Sequence, residues 1–254
     1  MLKLTFLGTG TSQGVPVISC KCDVCRSLDE HDKRLRSSVL IETDDCVFTI
    51  DCGPDFRQQM LRADVEHLDA VVLTHEHRDH TGGLDDLRAF NYTQQQAIKV
   101  YCESRVQKAV KEYIPYAFSE NPYPGVPEIE LCDINDDVFY ICNTKIIPIR
   151  GYHYKLPIYG FRIDNLCYIT DMNKIDPQEI EKIKGVDILI INALRHLSHI
   201  SHFTVNEALD IIKQVAPRQA YLTHLSHQIG LHRDIEMTLP ENIHLAYDGL
   251  TLQM

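Results

Sequence analysis

Directly after an apolar run, four metal-ligating side chains, His75, His77, Asp79 and His80, fall within six residues, and this restricts the fold more than any other feature. Residues 68–83 read Leu-Asp-Ala-Val-Val-Leu-Thr-His-Glu-His-Arg-Asp-His-Thr-Gly-Gly. The run Ala70–Thr74 predicts a strand covered on both faces, since such strands read as continuous apolar stretches rather than alternating ones. A turn after such a strand aims alternate side chains to one side, so His75 and His77 meet at a common ion. Asp79 and His80 then open the following turn and serve a neighbouring ion. Neutral imidazole combined with carboxylate suits Zn, Mn or Fe. A lone histidine here would be an ordinary satisfied core residue; three with an aspartate, followed by Gly82-Gly83, would not.

Short strand-like runs recur at Leu2–Leu7, Val39–Thr43, Val47–Asp51, Ile98–Cys102, Val138–Cys142, Lys145–Ile149, Ile158–Ile163, Leu166–Thr170, Asp187–Asn192, Ala220–Thr223 and His244–Tyr247. Helical spacing links Phe56, Met60 and Leu61 after Pro54, then Val106, Val110 and Ile114 after Glu103. It also links Val205, Leu209 and Ile212 after Thr204, where Glu207 completes a capping box. Strand runs first, then strands mixed with helices, predict the α/β (α+β) class, with two sheets covered by helices. No repeat and no shift of composition marks a boundary, so a single domain over 1–254 is expected. The segment Pro115–Glu128, with four prolines and three aromatics, reads equally as a lid over a pocket or as a surface connection.

The histidine motif, with the strand before it and the glycines after it, resembles the signature of the metallo-β-lactamase-fold hydrolases. That resemblance implies a four-layer αββα sandwich of two mixed sheets, with a dinuclear metal site at one end. It also implies ligands farther along the chain. His153 matches the third histidine of the first ion, Asp171 the bridging carboxylate, and His224 the remaining histidine of the second ion. Asp51, after the strand Val47–Ile50, matches the structural aspartate behind the histidine loop.

Cys20-Lys-Cys-Asp-Val-Cys25 forms a second cluster, in a loop with Gly14 and Pro16 upstream. Three thiolates can hold a tetrahedral zinc, and a closed structural site wants a fourth ligand, for which His31 is the local candidate. A reactive thiol group or an iron–sulfur site are competing readings. Together with Leu7-Gly-Thr-Gly-Thr-Ser-Gln-Gly-Val-Pro16, the cluster resembles the PhnP-type phosphodiesterase branch, with the pyrroloquinoline-quinone accessory protein nearby. The PhnP-type pattern implies a structural zinc held by Cys20, Cys22, Cys25 and His227, the histidine three residues after His224. Cys46, Cys52, Cys102, Cys132, Cys142 and Cys167 lie mostly in apolar runs and read as small hydrophobes.

The loop Leu194–Thr204 carries His196, His199 and His202. The family pattern places a non-ligand histidine two residues before the helix cap. His202 matches it, with the role of protonating the leaving alkoxide or orienting the phosphate. His199 is a candidate substrate contact, and His196 takes no role. Two divalent ions bridged by Asp171 would supply a nucleophile at neutral pH and neutralise phosphate charge. Asp79 would both hold an ion and position the attacking water.

Charge decides between partners. Lys plus Arg number 25 against 36 Asp plus Glu, a balance of −11, whereas a general nucleic-acid binder needs a basic face. Any anionic substrate must then be small and held by local positive charge, such as the metal cluster. No apolar run approaches a membrane span, and the N-terminus turns glycine-rich before a signal-peptide core forms, so a cytoplasmic protein is expected. The leading expectation is a metal-dependent hydrolase of small or cyclic phosphodiesters, ribosyl cyclic phosphates among them, with a homodimer as one option and the oligomeric state left open. The alternatives are a tRNA 3′-processing nuclease and a non-catalytic metal-binding accessory protein. The first needs a basic arm that Pro115–Glu128, without a lysine or arginine, does not offer. Against the second stand all seven expected ligands and His202.

Overall fold

A computed structural model describes residues 1–254. In chain order its strands are β1 (Lys3–Gly8), β2 (Ser38–Glu42), β3 (Val47–Ile50), β4 (Ala70–Val72), β5 (Ile98–Cys102), β6 (Ile129–Asp133), β7 (Phe139–Ile141), β8 (Thr144–His153), β9 (Leu156–Ile163), β10 (Leu166–Ile169), β11 (Lys174–Ile175), β12 (Ile188–Asn192), β13 (Gln219–Thr223), β14 (Ile243–Leu245) and β15 (Thr251–Gln253). The helices are α1 (Asp23–Arg26), α2 (Phe56–Ala63), α3 (Arg78–Thr81), α4 (Arg88–Gln94), α5 (Ser104–Tyr113), α6 (Pro177–Ile183), α7 (Val205–Val215) and α8 (His232–Glu236).

The strands form two sheets, ordered β15-β1-β2-β3-β4-β5-β6 and β11-β8-β9-β10-β12-β13-β14, with β7 paired to the start of β8. Each sheet is antiparallel on one side and parallel on the other. Side chains alternate along every central strand, and that alternation builds the layers. From β4, Ala70 and Val72 face the second sheet, while Val71 faces the helices outside. From β12, Ile188 and Ile190 face inward, while Leu189 and Ile191 meet Ile180, Ile183, Ala208 and Ile212 of α6 and α7. Phe56, Met60, Phe90, Val106 and Val110 cover the first sheet's outer face. The result is the αββα sandwich, with one core between the sheets and one under each helical layer. No helix is long and apolar enough to cross a membrane.

Parallel strands bring their carboxyl ends to one edge, where ligands bind in such sheets. Asp51, Thr74, Asp171 and His224 all follow strands at that edge. The capping box of α7 forms as expected, with Thr204 Oγ1 accepting from Glu207 N at 3.2 Å and Glu207 Oε2 accepting from Thr204 N at 2.8 Å. Three strands and several helices escaped the sequence pattern. β6 interrupts its apolar residues with Glu130 and Asp133 on a sheet edge, β15 and β11 are three and two residues long, and α4 starts without a side-chain cap. For α6 the signal was present in Asp176-Pro177, an N-cap followed by proline at the first helical position. The cysteine expectation needs correction: Cys46, Cys52, Cys102 and Cys167 are buried, but Cys142 is exposed on a turn and Cys132 is half-buried at the sheet edge.

Candidate metal centre and its mouth

At the carboxyl edge the two sheets deliver the singled-out side chains to one place. Ligand atoms of His75, His80 and Asp171 lie within 4.8 Å of one another, as do those of Asp79, Asp171 and His224, and those of His153, Asp171 and His202. Asp171 belongs to all three groups, the arrangement a bridging carboxylate would need. The His77 ring sits 4.6 Å from that of His75 and 5.0 Å from that of His153. His202 is closer than expected of a bystander, its ring 4.7 Å from His153 and 4.9 Å from His224.

Hydrogen bonds engage one nitrogen in the rings of His75, His80, His153 and His224 and leave the other to the centre. The Thr74 hydroxyl donates to Asp51, so His75 Nδ1 donates to Thr74 Oγ1 at 2.9 Å and Nε2 is left to the site. His80 Nδ1 donates to Asp51 Oδ2 at 2.6 Å, and His153 Nδ1 donates to the Asp171 carbonyl at 2.8 Å. His224 Nδ1 lies 3.1 Å from Ser37 Oγ, whose hydroxyl donates to the Gly10 carbonyl. Asp51 thus ties His80 and, through Thr74, His75, as the structural aspartate was expected to do. Asp51, Asp171 and His224 have φ of 67°, 61° and 56°, the left-handed region that side chains rarely adopt. Backbone strain of this kind gathers where a site over-determines the chain.

His75 Nε2, His80 Nε2, His224 Nε2 and His202 Nδ1 are buried without a hydrogen-bond partner. Buried polar atoms normally find one, and of these His80 Nε2 lies 3.2 Å from both Asp79 Oδ2 and Asp171 Oδ2. Burial would raise the Asp171 carboxyl, but the charges of His224 and His80 outweigh it and hold it well below the usual range. Burial likewise works against a proton on His80, and Asp171 and Asp51 more than reverse this, raising it well above an ordinary imidazole. The protein's own groups thus call for positive charge at this point. An oxygen–nitrogen donor set of this kind fits divalent zinc, manganese or iron. Burial pushes His202 down to about 3, with Asp171 pulling the other way, so its ring is neutral.

Close packing holds the histidine turn in place. A Cβ on Gly53 would lie 2.1 Å from the Asp79 carbonyl oxygen, and one on Gly83 would lie 2.2 Å from that of Gly53. Cys52 N donates to the His80 carbonyl at 2.8 Å, and Gly83 N donates to that of Cys52 at 2.9 Å.

The second cluster lies one turn of chain away. Sulfurs of Cys20, Cys22 and Cys25 and a ring nitrogen of His227 are mutually within 4.8 Å, with Nδ1 at 3.4 Å from Cys20 and 3.3 Å from Cys22. His31, the local candidate for a fourth ligand, stacks on His232 instead, at 4.8 Å. The His227 ring lowers the Cys22 thiol, while burial pushes Cys25 up to about 11. The Val17 amide donates to Cys25 Sγ at 3.4 Å.

A pocket of about 550 Å³ opens beside His77 and His153, lined further by Tyr154, Lys155, Leu156, Ile200 and Ser201. Sequence reasoning missed this wall. Tyr154 and Lys155 are the exposed turn between β8 and β9, held by Tyr154 N donating to Asn173 Oδ1 at 2.7 Å. Asn173 Nδ2 in turn donates to the Ile200 carbonyl at 3.2 Å, tying both rims together. His199 stands 4.9 Å from His202, and His196 is exposed. Pro115–Glu128 does not reach the pocket: it runs beside α4, with Tyr116 Oη donating to Asp85 and Glu128 N to Asn91, so the surface connection is the correct reading.

Known proteins agree with this geometry. A family model described as a beta-lactamase superfamily domain matches residues 47–225. Over 252 residues the chain is 46% identical to a Porphyromonas gingivalis protein named octanoyltransferase, covering 98% of this chain but 51% of that one. It therefore spans about half the length of that relative. Coenzyme PQQ synthesis protein B of Methylococcus capsulatus is 28% identical, with 97% and 98% of the two chains covered. A solved diphosphatase from the PhnP family superposes with a TM-score of 0.93 at 36% identity, covering 99% of this chain and 96% of that one. Fold, motif and similarity converge: the chain belongs to the metallo-β-lactamase-fold hydrolases, in their PhnP branch.

Proposed function

We propose that the protein is a metal-dependent hydrolase of small or cyclic phosphodiesters. The observation that carries this reading is the set of buried, partnerless imidazole nitrogens around Asp79 and Asp171, beside an open pocket of about 550 Å³. His75, His77 and His153 would hold one divalent ion, His80, Asp79 and His224 a second, with Asp171 between them. Such ions supply Lewis acidity and a water nucleophile at neutral pH. Asp79, largely buried beside His80, would position the attacking water. His202 donates a hydrogen bond to the phosphate or the leaving oxygen. Lys155 at the rim answers the substrate's negative charge, which the acidic surface elsewhere does not. Cys20, Cys22, Cys25 and His227 would hold a structural zinc that ties the N-terminal loop to the His224 loop.

Acyl transfer is the poorer reading. No cysteine lines the pocket, and the octanoyltransferase relative is twice as long as this chain, so we assign its named activity to the half not matched. A tRNA substrate lacks a basic arm to bind. The test is metal analysis together with turnover of bis(p-nitrophenyl) phosphate and a ribosyl cyclic phosphate. Close to three ions per chain and diester turnover are expected. A chain that binds the ions but turns over neither ester overturns the hydrolase reading in favour of the accessory role.

A further inference from the structure

The end of the sandwich opposite the metal centre holds a second piece of chemistry. β3 carries Asp51 to the centre at its far end, so the turn before it, Thr43–Cys46, lies at the other pole. The same holds for β8, which ends at His153 and begins just after the turn Cys142–Asn143. These two turns come from different sheets and meet at three points. Thr43 Oγ1 lies 3.3 Å from Thr144 Oγ1, Asn143 Nδ2 donates to Asp45 Oδ2 at 2.5 Å, and Cys142 Sγ lies 2.9 Å from Cys46 Sγ.

Two features of the sulfur pair single it out. Cys142 has a φ of 51°, where glycine or asparagine would sit without strain, so the position keeps cysteine at a conformational cost. The sulfurs are also closer than a metal would hold them, since tetrahedral zinc with bonds of about 2.3 Å sets two thiolates about 3.8 Å apart. Cys142 is exposed while Cys46 is buried. Asp69 has a carboxylate oxygen within 4.8 Å of both sulfurs, and is fixed by the Val47 amide at 2.8 Å and His67 Nε2 at 2.9 Å.

We propose that Cys46 and Cys142 are an oxidisable dithiol clasp that a hydroperoxide closes into a disulfide between the two sheets. The Cys142 sulfur attacks the hydroperoxide and the O–O bond breaks, giving a sulfenic acid and one molecule of alcohol, or of water from hydrogen peroxide. The Cys46 sulfur then displaces the sulfenic hydroxyl. Its proton passes by way of Asp69 to the departing oxygen, which leaves as water. Two thiols lose two electrons, and the peroxide gains them. The bond closes a loop of roughly 100 residues, the range in which a cross-link restricts the unfolded chain strongly. In a reducing compartment it would open again, which suits a transient rather than a permanent bridge.

The experiment treats the metal-loaded full chain with one equivalent of hydrogen peroxide and maps its cysteine peptides. A Cys46–Cys142 linked peptide, about 2 Da lighter than the two thiol peptides together, is expected. Reduction should then lower Tm by roughly 5–15 °C in the wild type and not at all in Cys142→Ser. Ester turnover, measured at the opposite pole, should be unchanged in Cys142→Ser. Both thiols remaining open to alkylation after oxidation would overturn the proposal. So would Cys142 pairing with Cys132, or stoichiometric zinc that protects the Cys46–Cys142 pair.

Discussion

The histidine–aspartate centre and the cysteine clamp meet on one loop, three residues apart at His224 and His227, yet they are assembled in opposite ways. The clamp draws three of its four expected ligands from six consecutive residues, with Cys20 and Cys22 half-buried and Cys25 buried. The centre draws its seven expected ligands from four separate stretches of both sheets and buries most of them. A local cluster can be read directly from spacing. A dispersed one is fixed only by the edge at which strands end and by the hydrogen bonds that turn each ring. The same contrast sets what each can tolerate: loss of a clamp ligand should loosen one loop, while loss of a centre ligand leaves buried charge uncompensated.

Substitutions of decreasing effect test that contrast. His77→Ala should abolish diester turnover and release metal from the centre while the clamp zinc stays, as read by metal analysis; turnover near wild type would break the assignment. His202→Ala should slow turnover roughly 10²–10⁴-fold with all ions retained. Because His202 lies within 4.8 Å of His153 and Asp171, metal loss in this variant would instead make it a ligand. Asp51→Asn should weaken metal binding at the centre about 10–100-fold, measured by chelator competition, because it loosens His80 and His75 together. Cys22→Ser should remove one ion of three and lower Tm, with a smaller loss of turnover than any centre variant. If it empties the centre as well, the two sites are not separable.

The smallest effect concerns pH. His232 packs against Arg34, His31, Asp32 and Tyr247, and burial, with the Arg34 charge, pushes its pKa down to about 4. Below about 6.5 the unfolded chain takes up a proton that the folded one refuses until about 4. Stability should therefore fall as pH drops through that window and then level off. His232→Gln should flatten this part of the Tm-versus-pH curve; an unchanged slope would show that His232 does not contribute.

Much of this was legible in residue order. The H-x-H-x-D-H turn named its own chemistry, because four potential ligands after an apolar run have little other use. His153, Asp171 and His224 were picked out by the family resemblance; apolar runs marked the strands before Asp171 and His224, while the run leading to His153 stopped at Ile149, short of the observed end of β8. The rim of the pocket was not. Tyr154, Lys155 and Ile200 look like any turn or loop residues, and only the Asn173 hydrogen bonds bring them together. Ser37, which orients His224 from 187 positions away, left no local mark. The short strands β6, β11 and β15 were missed because edge pairing with a neighbour, not their own pattern, makes them strands.

By itself the order of residues determined which side chains could bind cations, which runs would be buried and where α7 begins, since these follow from chemical type and periodicity within a few positions. Tertiary structure alone decided the partners of Asp171, the direction of each imidazole nitrogen, the course of Pro115–Glu128 away from the pocket, and the meeting of Cys46 with Cys142. These depend on how two sheets stack and which strand ends coincide, and such contacts are set by packing between segments far apart in the chain rather than by any neighbouring residue.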